Sequence, residues 1–201
     1  MGKGRLEAFS DGVLAIIITI MVLELRAPHG PSLAALRSLL PVLLSYVLSF
    51  VFLGIYWNNH HHLLLCTHRV TGSILWANLH LLFWLSLVPF VTAWMGEHPF
   101  AVHPAALYGA VLFMAALAYL LLQRQILRSE GPGSVLAAAL GPDLKGKISP
   151  LLYVAAIGAA FVHPGIAYAV YVLVALLWVI PDRRIGRALA RQPGRDAAGA
   201  A

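Results

Sequence analysis

Arg5, Ser10 and Asp11 stand where the chain turns into an apolar stretch running from Gly12 to Leu25. A charged side chain at the centre of a membrane helix costs about 2.5–3.5 kcal/mol on insertion scales, and less near the interface. Groups kept there face a bundle interior, a watery cavity or a partner, which makes them functional candidates. A second polar group closes another apolar stretch, Trp57-Asn58-Asn59-His60-His61-His62, and the next stretch carries Asn78 and His80. Imidazole titrates near neutrality, so these histidines suit a pH-sensitive hydrogen-bond network. They suit a metal poorly, because consecutive residues on a helix point about 100° apart and three in a row cannot chelate one ion. The plain reading is one buried, hydrogen-bonded histidine and two at the interface, with no metal or other cofactor. No Gly-rich phosphate loop, HExxH or GxSxG occurs, and enzyme chemistry is not expected.

The elements that position these residues follow from composition. Of 201 residues, 60% are hydrophobic and 11% charged, against roughly 25% charged in soluble domains. Mean hydropathy is +0.81. The expected class is an all-α integral membrane protein. Six segments approach the roughly 20 apolar residues a spanning helix needs: 8–25, 38–57, 74–94, 105–122, 148–162 and 165–180. Pro41 and Pro89 fall inside spans and are expected to kink them. Pro150 and Pro164 bound the fifth segment, and His163-Pro164-Gly165 reads as a tight turn that makes the last two helices a hairpin. Ala155, Gly158 and Ala159 permit close helix approach. Arg26-Ala27-Pro28 is a poor cleavage site, so no cleavable leader is expected.

Topology follows from the cations. With a cytoplasmic N-terminus, the inside segments hold Lys3, Arg5, Arg69, Arg124, Arg128, Lys145, Lys147, Arg183, Arg184, Arg187, Arg191 and Arg195, and the outside ones only Arg26 and Arg37. This bias puts both termini in the cytoplasm and the chain in the cell membrane as a multi-pass protein. It also accounts for the net charge of +6 without nucleic acid as a partner. Residues 1–181 form one six-helix module, and 182–201 a basic, disordered cytoplasmic tail. Cys66, the single cysteine, excludes an intrachain disulfide and reads as a buried helix-end residue.

Arg5-Leu6-Glu7-Ala8-Phe9-Ser10-Asp11 resembles the RxxxFSD signature of the transmembrane protein 175 family of potassium channels, in its prokaryotic branch. Trp57 with His60 and His61, and Asn78 with the later Pro89-Phe90, resemble the same family's pattern. The resemblance covers residues 5–94 at motif level and implies a leak-type channel for potassium and other monovalent cations. It implies a homotetramer with the first helix around a central pore, constricted by rings of bulky aliphatic residues. Counted from Asp11, those layers fall on Ile16, on Thr19 with Ile20, and on Leu23. The helical wheel by itself places Gly12, Ile16, Thr19 or Ile20, and Leu23 in one narrow stripe. That periodicity equally suits a lipid- or core-facing stripe. Segments four to six do not repeat the first, so one chain offers one pore-type helix. No TVGYG filter is present, and selectivity is left to constriction and dehydration.

Arg5 and Asp11 lie six residues apart, about 120° around a helix, and cannot pair with each other. Arg5 and Phe9 share a face, within reach of stacking. Asp11 points away from Ile16, toward the second and third segments, and a buried network is expected to join Arg5, Phe9, Ser10, Asp11, Trp57, His60, His61 and Asn78. Breaking a buried charged network costs about 3–5 kcal/mol. Glu24 reads two ways, as a group drawing cations to the mouth or as a solvated residue paired with Arg26. Two other classes stay open: a proton- or metal-coupled transporter using Asp11 and His60–His62, and a non-conducting membrane scaffold.

Overall fold

The computed structural model describes residues 2–28, 30–140 and 144–179, and every regular element among them is helical. The expected tail over 182–201, its arginines and Asp143 lie outside the described residues. Four stretches are long and apolar enough to cross a membrane: Lys3–Glu24, Leu40–Leu65, Gly72–Glu97 and Val102–Glu130. The first is α1 (Lys3–Ile20), which tightens into a 3-10 turn at Met21–Glu24. A short α2 (Leu33–Arg37) leads to α3 (Leu40–Leu65). The third stretch is divided into α4 (Gly72–Ser86) and α5 (Val88–Glu97), and α6 (Val102–Glu130) forms the fourth. After α7 (Val135–Leu140), α8 (Leu144–Ala160) and α9 (Pro164–Val179) pack as a hairpin. Their described parts are 17 and 16 residues long.

Of the two prolines expected to kink their spans, Pro89 interrupts its span and Pro41 does not. Pro41 sits in the first turn of α3, where its missing N–H has no partner to lose, so it starts the helix and does not kink it. Pro89 occupies the same position in α5 and divides the span at Leu87, because its ring blocks the carbonyl one turn back. The helix expected to stop at residue 57 continues to Leu65. Asn58 through His62 are therefore ordinary helical residues with fixed angular positions. Gly131 ends α6 with φ of 85° and ψ of 169°, a positive-φ extended conformation open essentially to glycine alone, and its N–H returns to the Leu127 carbonyl at 2.9 Å.

The core runs along α6, which packs on α4, α5, α8 and α9. Its inward residues Ala105, Tyr108, Ala115, Ala118, Leu122 and Ile126 are fully buried. Between apolar helices in lipid, close van der Waals packing replaces the hydrophobic drive, and small residues let backbones approach. On α8 that role falls to Ala156 and Ala160, which are fully buried. The expected Ala155 and Gly158 are exposed and Ala159 is half-buried. The stripe on α8 is thus one residue later, because the register is chosen by the facing helix.

Candidate functional site

Helix α1 docks on the bundle through Leu6, Ser10, Leu14, Ile17 and Met21, all buried. Their spacing of three and four puts them on one face. Ser10 is at its middle and is fully buried. Its hydroxyl donates to the Leu6 carbonyl one turn back at 2.8 Å, and Asn78 Nδ2 of α4 donates to Ser10 Oγ at 3.0 Å. The other end of that amide, Oδ1, accepts from His60 Nε2 of α3 at 2.7 Å, which assigns the His60 proton to Nε2. One line of hydrogen bonds therefore ties three helices together, and its members Ser10, His60 and Asn78 are at most 2% exposed. Each partner satisfies a group whose burial alone would cost about 1–3 kcal/mol.

A second contact lies beside it. Trp57 Nε1 donates to Asp11 Oδ1 at 3.1 Å, and the His61 ring stacks on Trp57 with centroids 6.3 Å apart. Asp11, Trp57 and His61 are all exposed on the single chain. Asp11 is thus not part of a buried charged network, because its wheel position places it on the flank of the docking stripe. Lys3 adds a further tie, donating to the Leu65 carbonyl at 3.2 Å, one of the carbonyls left without a partner at the end of α3.

Arg5 and Phe9 stand apart from the network they were expected to join. Both are exposed, and neither side chain has a hydrogen bond, ion pair or ring contact among the described residues. The reason is angular: Arg5 lies about 140° around the helix from Ser10, on the side away from α3 and α4. The three histidines also diverge. His60 reaches Asn78, His61 lies on Trp57, and His62 Nδ1 turns back to the Asn58 carbonyl at 2.7 Å. His80 accepts from Trp84 on its own helix at 2.9 Å.

The opposite face of α1 carries Gly12, Ile16, Thr19, Ile20 and Leu23, all exposed, with Ile16 at 58% and Leu23 at 76%. Among the described residues no side chain buries this stripe. The Thr19 hydroxyl is spent within the helix, 2.8 Å from the Ala15 carbonyl and 3.0 Å from that of Ile16. Between α1 and α5 opens a groove of about 660 Å³, where Ile16, Ile20 and Glu24 face Phe90, Trp94 and Glu97. Glu24 makes no ion pair with Arg26 among the described residues.

Sequence reasoning passed over two further polar clusters. Glu130, at the end of α6, accepts the His68 and Arg69 backbone N–H groups at 2.7 and 3.3 Å and lies 2.7 Å from His68 Nδ1. This carboxylate pins the α3–α4 turn. Deep in the bundle, Thr92 Oγ1 lies 2.7 Å from Ser49 Oγ, which lies 3.0 Å from the Tyr108 hydroxyl. Lone hydroxyl residues inside apolar spans were the available signal, since such groups seek partners on facing helices.

A sequence model of the family described as endosomal/lysosomal potassium channel TMEM175 matches residues 5–89. The chain is 57% identical over 189 residues to a protein named as a potassium channel from Chryseobacterium sp. (strain P1-3), covering 94% of this chain and 98% of that one. It is 34% identical to a protein of the same name class from Streptomyces collinus, covering 88% and 91%. Its fold superposes with a TM-score of 0.77 on the crystal structure of a lysosomal potassium-selective channel TMEM175 homolog from Chamaesiphon minutus, at 28% identity, covering 90% of this chain and 97% of that one.

Proposed function

Because the chain belongs to the TMEM175 family of potassium channels, we propose that it conducts potassium and other monovalent cations through a pore lined by α1 of four copies. It is a membrane channel protein and not an enzyme. The observation that carries the pore reading is the asymmetry of α1. One face is bonded to α3 and α4, and the opposite face, Gly12, Ile16, Thr19 and Leu23, is left uncovered. A helix so held presents the same stripe toward an axis in every copy.

Ile16, the pair Thr19 and Ile20, and Leu23 then form successive rings, with Ile16 the narrowest. An aliphatic ring controls conduction by dewetting, and selectivity arises from the cost of shedding hydration water there. The Ser10–Asn78–His60 line holds the pore helix in register and stays outside the ion path. The α8–α9 hairpin completes six spans, with both termini in the cytoplasm of a cell whose plasma membrane carries the channel and whose lipids surround it. A metal-coupled transporter fits less well, because the imidazoles of His60, His61 and His62 turn to three different partners.

Purified protein in a planar bilayer is expected to show unitary potassium currents, and native mass spectrometry a tetramer. Macroscopic uptake without unitary steps would point to a transporter. The absence of any flux from assembled protein would point to a scaffold.

A further inference from the structure

The two ends of the third span are anchored separately. Helix α4 is bonded to α1 through Asn78 and Ser10. Helix α5 begins after the break at Leu87 and carries Pro89 in its first turn. It is therefore not carried rigidly by α4 and needs its own attachment. That attachment is on α3 and α6. The Thr92 hydroxyl, in a side chain 5% exposed, lies 2.7 Å from both Ser49 Oγ and the Val88 carbonyl. Ser49 continues to the Tyr108 hydroxyl of α6 at 3.0 Å. One turn past Thr92, Gly96 meets α3 so closely that a Cβ there would stand 2.9 Å from the Val42 Cα.

The far side of α5 looks across the groove at α1. Phe90, Trp94 and Glu97 face Ile16, Ile20 and Glu24. This half of α1 has no side-chain hydrogen bond to another helix among the described residues, and α5 is one of the elements it leans on, through both α1 and the Met21–Glu24 turn.

We infer that Thr92 is a positioning residue for the ion path: held by Ser49 and Tyr108, it fixes α5 and so sets where the Ile16–Glu24 half of the first span stands. The inference rests on the channel reading, and it is absent from the sequence motif because Thr92 touches neither α1 nor the network around Ser10. Loss of the hydroxyl frees α5 to shift in the groove and displaces the rings borne by the neighbouring half-helix.

The test compares Thr92→Val, which keeps the shape and removes the hydroxyl, with Thr92→Ser, which keeps the hydroxyl. Single-channel potassium currents are recorded in planar bilayers. In parallel, the α1–α5 distance is measured by pulsed electron paramagnetic resonance between spin labels at Val22→Cys and His98→Cys in a Cys66→Ser background. Thr92→Val is expected to broaden the distance and to shift the open-to-closed ratio about two- to thirty-fold, the range over which residues acting through packed networks operate. Thr92→Ser is expected to match the parent in both. Tyr108→Phe repeats the test from the other end of the relay should Thr92→Val fail to assemble. A sharp, unchanged distance overturns the inference, and so does a broadened distance with parental currents. A parent that conducts nothing defeats the channel reading instead, and the distance comparison then decides whether Thr92 holds α5.

Discussion

Along α1, the half from Lys3 to Leu14 is joined to α3 and α4 by Lys3, Ser10 and Asp11, through hydrogen bonds of 3.2, 3.0 and 3.1 Å. The half from Ala15 onward meets its neighbours through Ile17 and Met21, with an open groove at its side. Directional bonds between polar atoms fix depth and rotation together, because a shift of one residue breaks them. Apolar contacts in lipid fix them less sharply where packing is loose, since the surrounding acyl chains offer nearly the same environment. The first half can thus serve as a fixed mount while the second carries side chains free to vary in size around an axis. This contrast predicts that substitutions in the two halves separate into losses of stability and changes of current.

The largest stability effect is expected at Asn78. Asn78→Leu strips Ser10 and His60 of their shared partner at once, at roughly 1–3 kcal/mol for each group left unsatisfied. Thermal unfolding of the detergent-solubilised protein should show it as a large drop in Tm. A parental Tm would remove the mount from the picture. Asp11→Asn comes next and should be milder. The carboxylate is exposed and has one bond, to Trp57, so about 0.5–1.5 kcal/mol is expected, below the 3–5 kcal/mol that a buried charged pair would forfeit. If Asp11→Asn instead leaves Tm unchanged and alters potassium-over-sodium preference, the first half also belongs to the ion path.

In the second half, Ile16→Ala should change stability by less than about 0.5 kcal/mol, because no described side chain of its own chain packs over it and surface substitutions rarely do more. Unitary conductance should rise as the ring widens and wets. Unchanged current from an assembled tetramer would show that Ile16 does not form the constriction. The smallest effect is expected for Glu24→Gln. It should lower conductance at low potassium and leave it unchanged near 1 M salt, where the Debye length falls to about 3 Å. A reduction that persists at high salt would mean that Glu24 holds ions directly.

How much of this was legible in the sequence differs residue by residue. The class and the span positions follow from hydropathy, because lipid demands long apolar helices regardless of how they pack. Ser10, His60 and Asn78 were recognisable as polar residues in apolar surroundings that must find partners. Arg5 and Phe9 carry the same motif-level signal, yet they point away from the bundle, and only the rotation of α1 on α3 and α4 reveals this. Pro41 and Pro89 look alike in sequence, and one starts a helix whereas the other divides a span. What separates them is where the chain before each proline is already committed to a helix.

Periodicity confines Gly12, Ile16 and Thr19 to one stripe because 3.6 residues per turn is a property of the backbone itself. Tertiary structure decided which stripe was covered, since burial depends on atoms contributed by other helices. It also decided the partners of Thr92 and Glu130, which lie 43 and 62 residues away along the chain at Ser49 and His68. No local pattern encodes such a pairing, because it exists only once helices far apart in sequence have packed at one depth and one rotation.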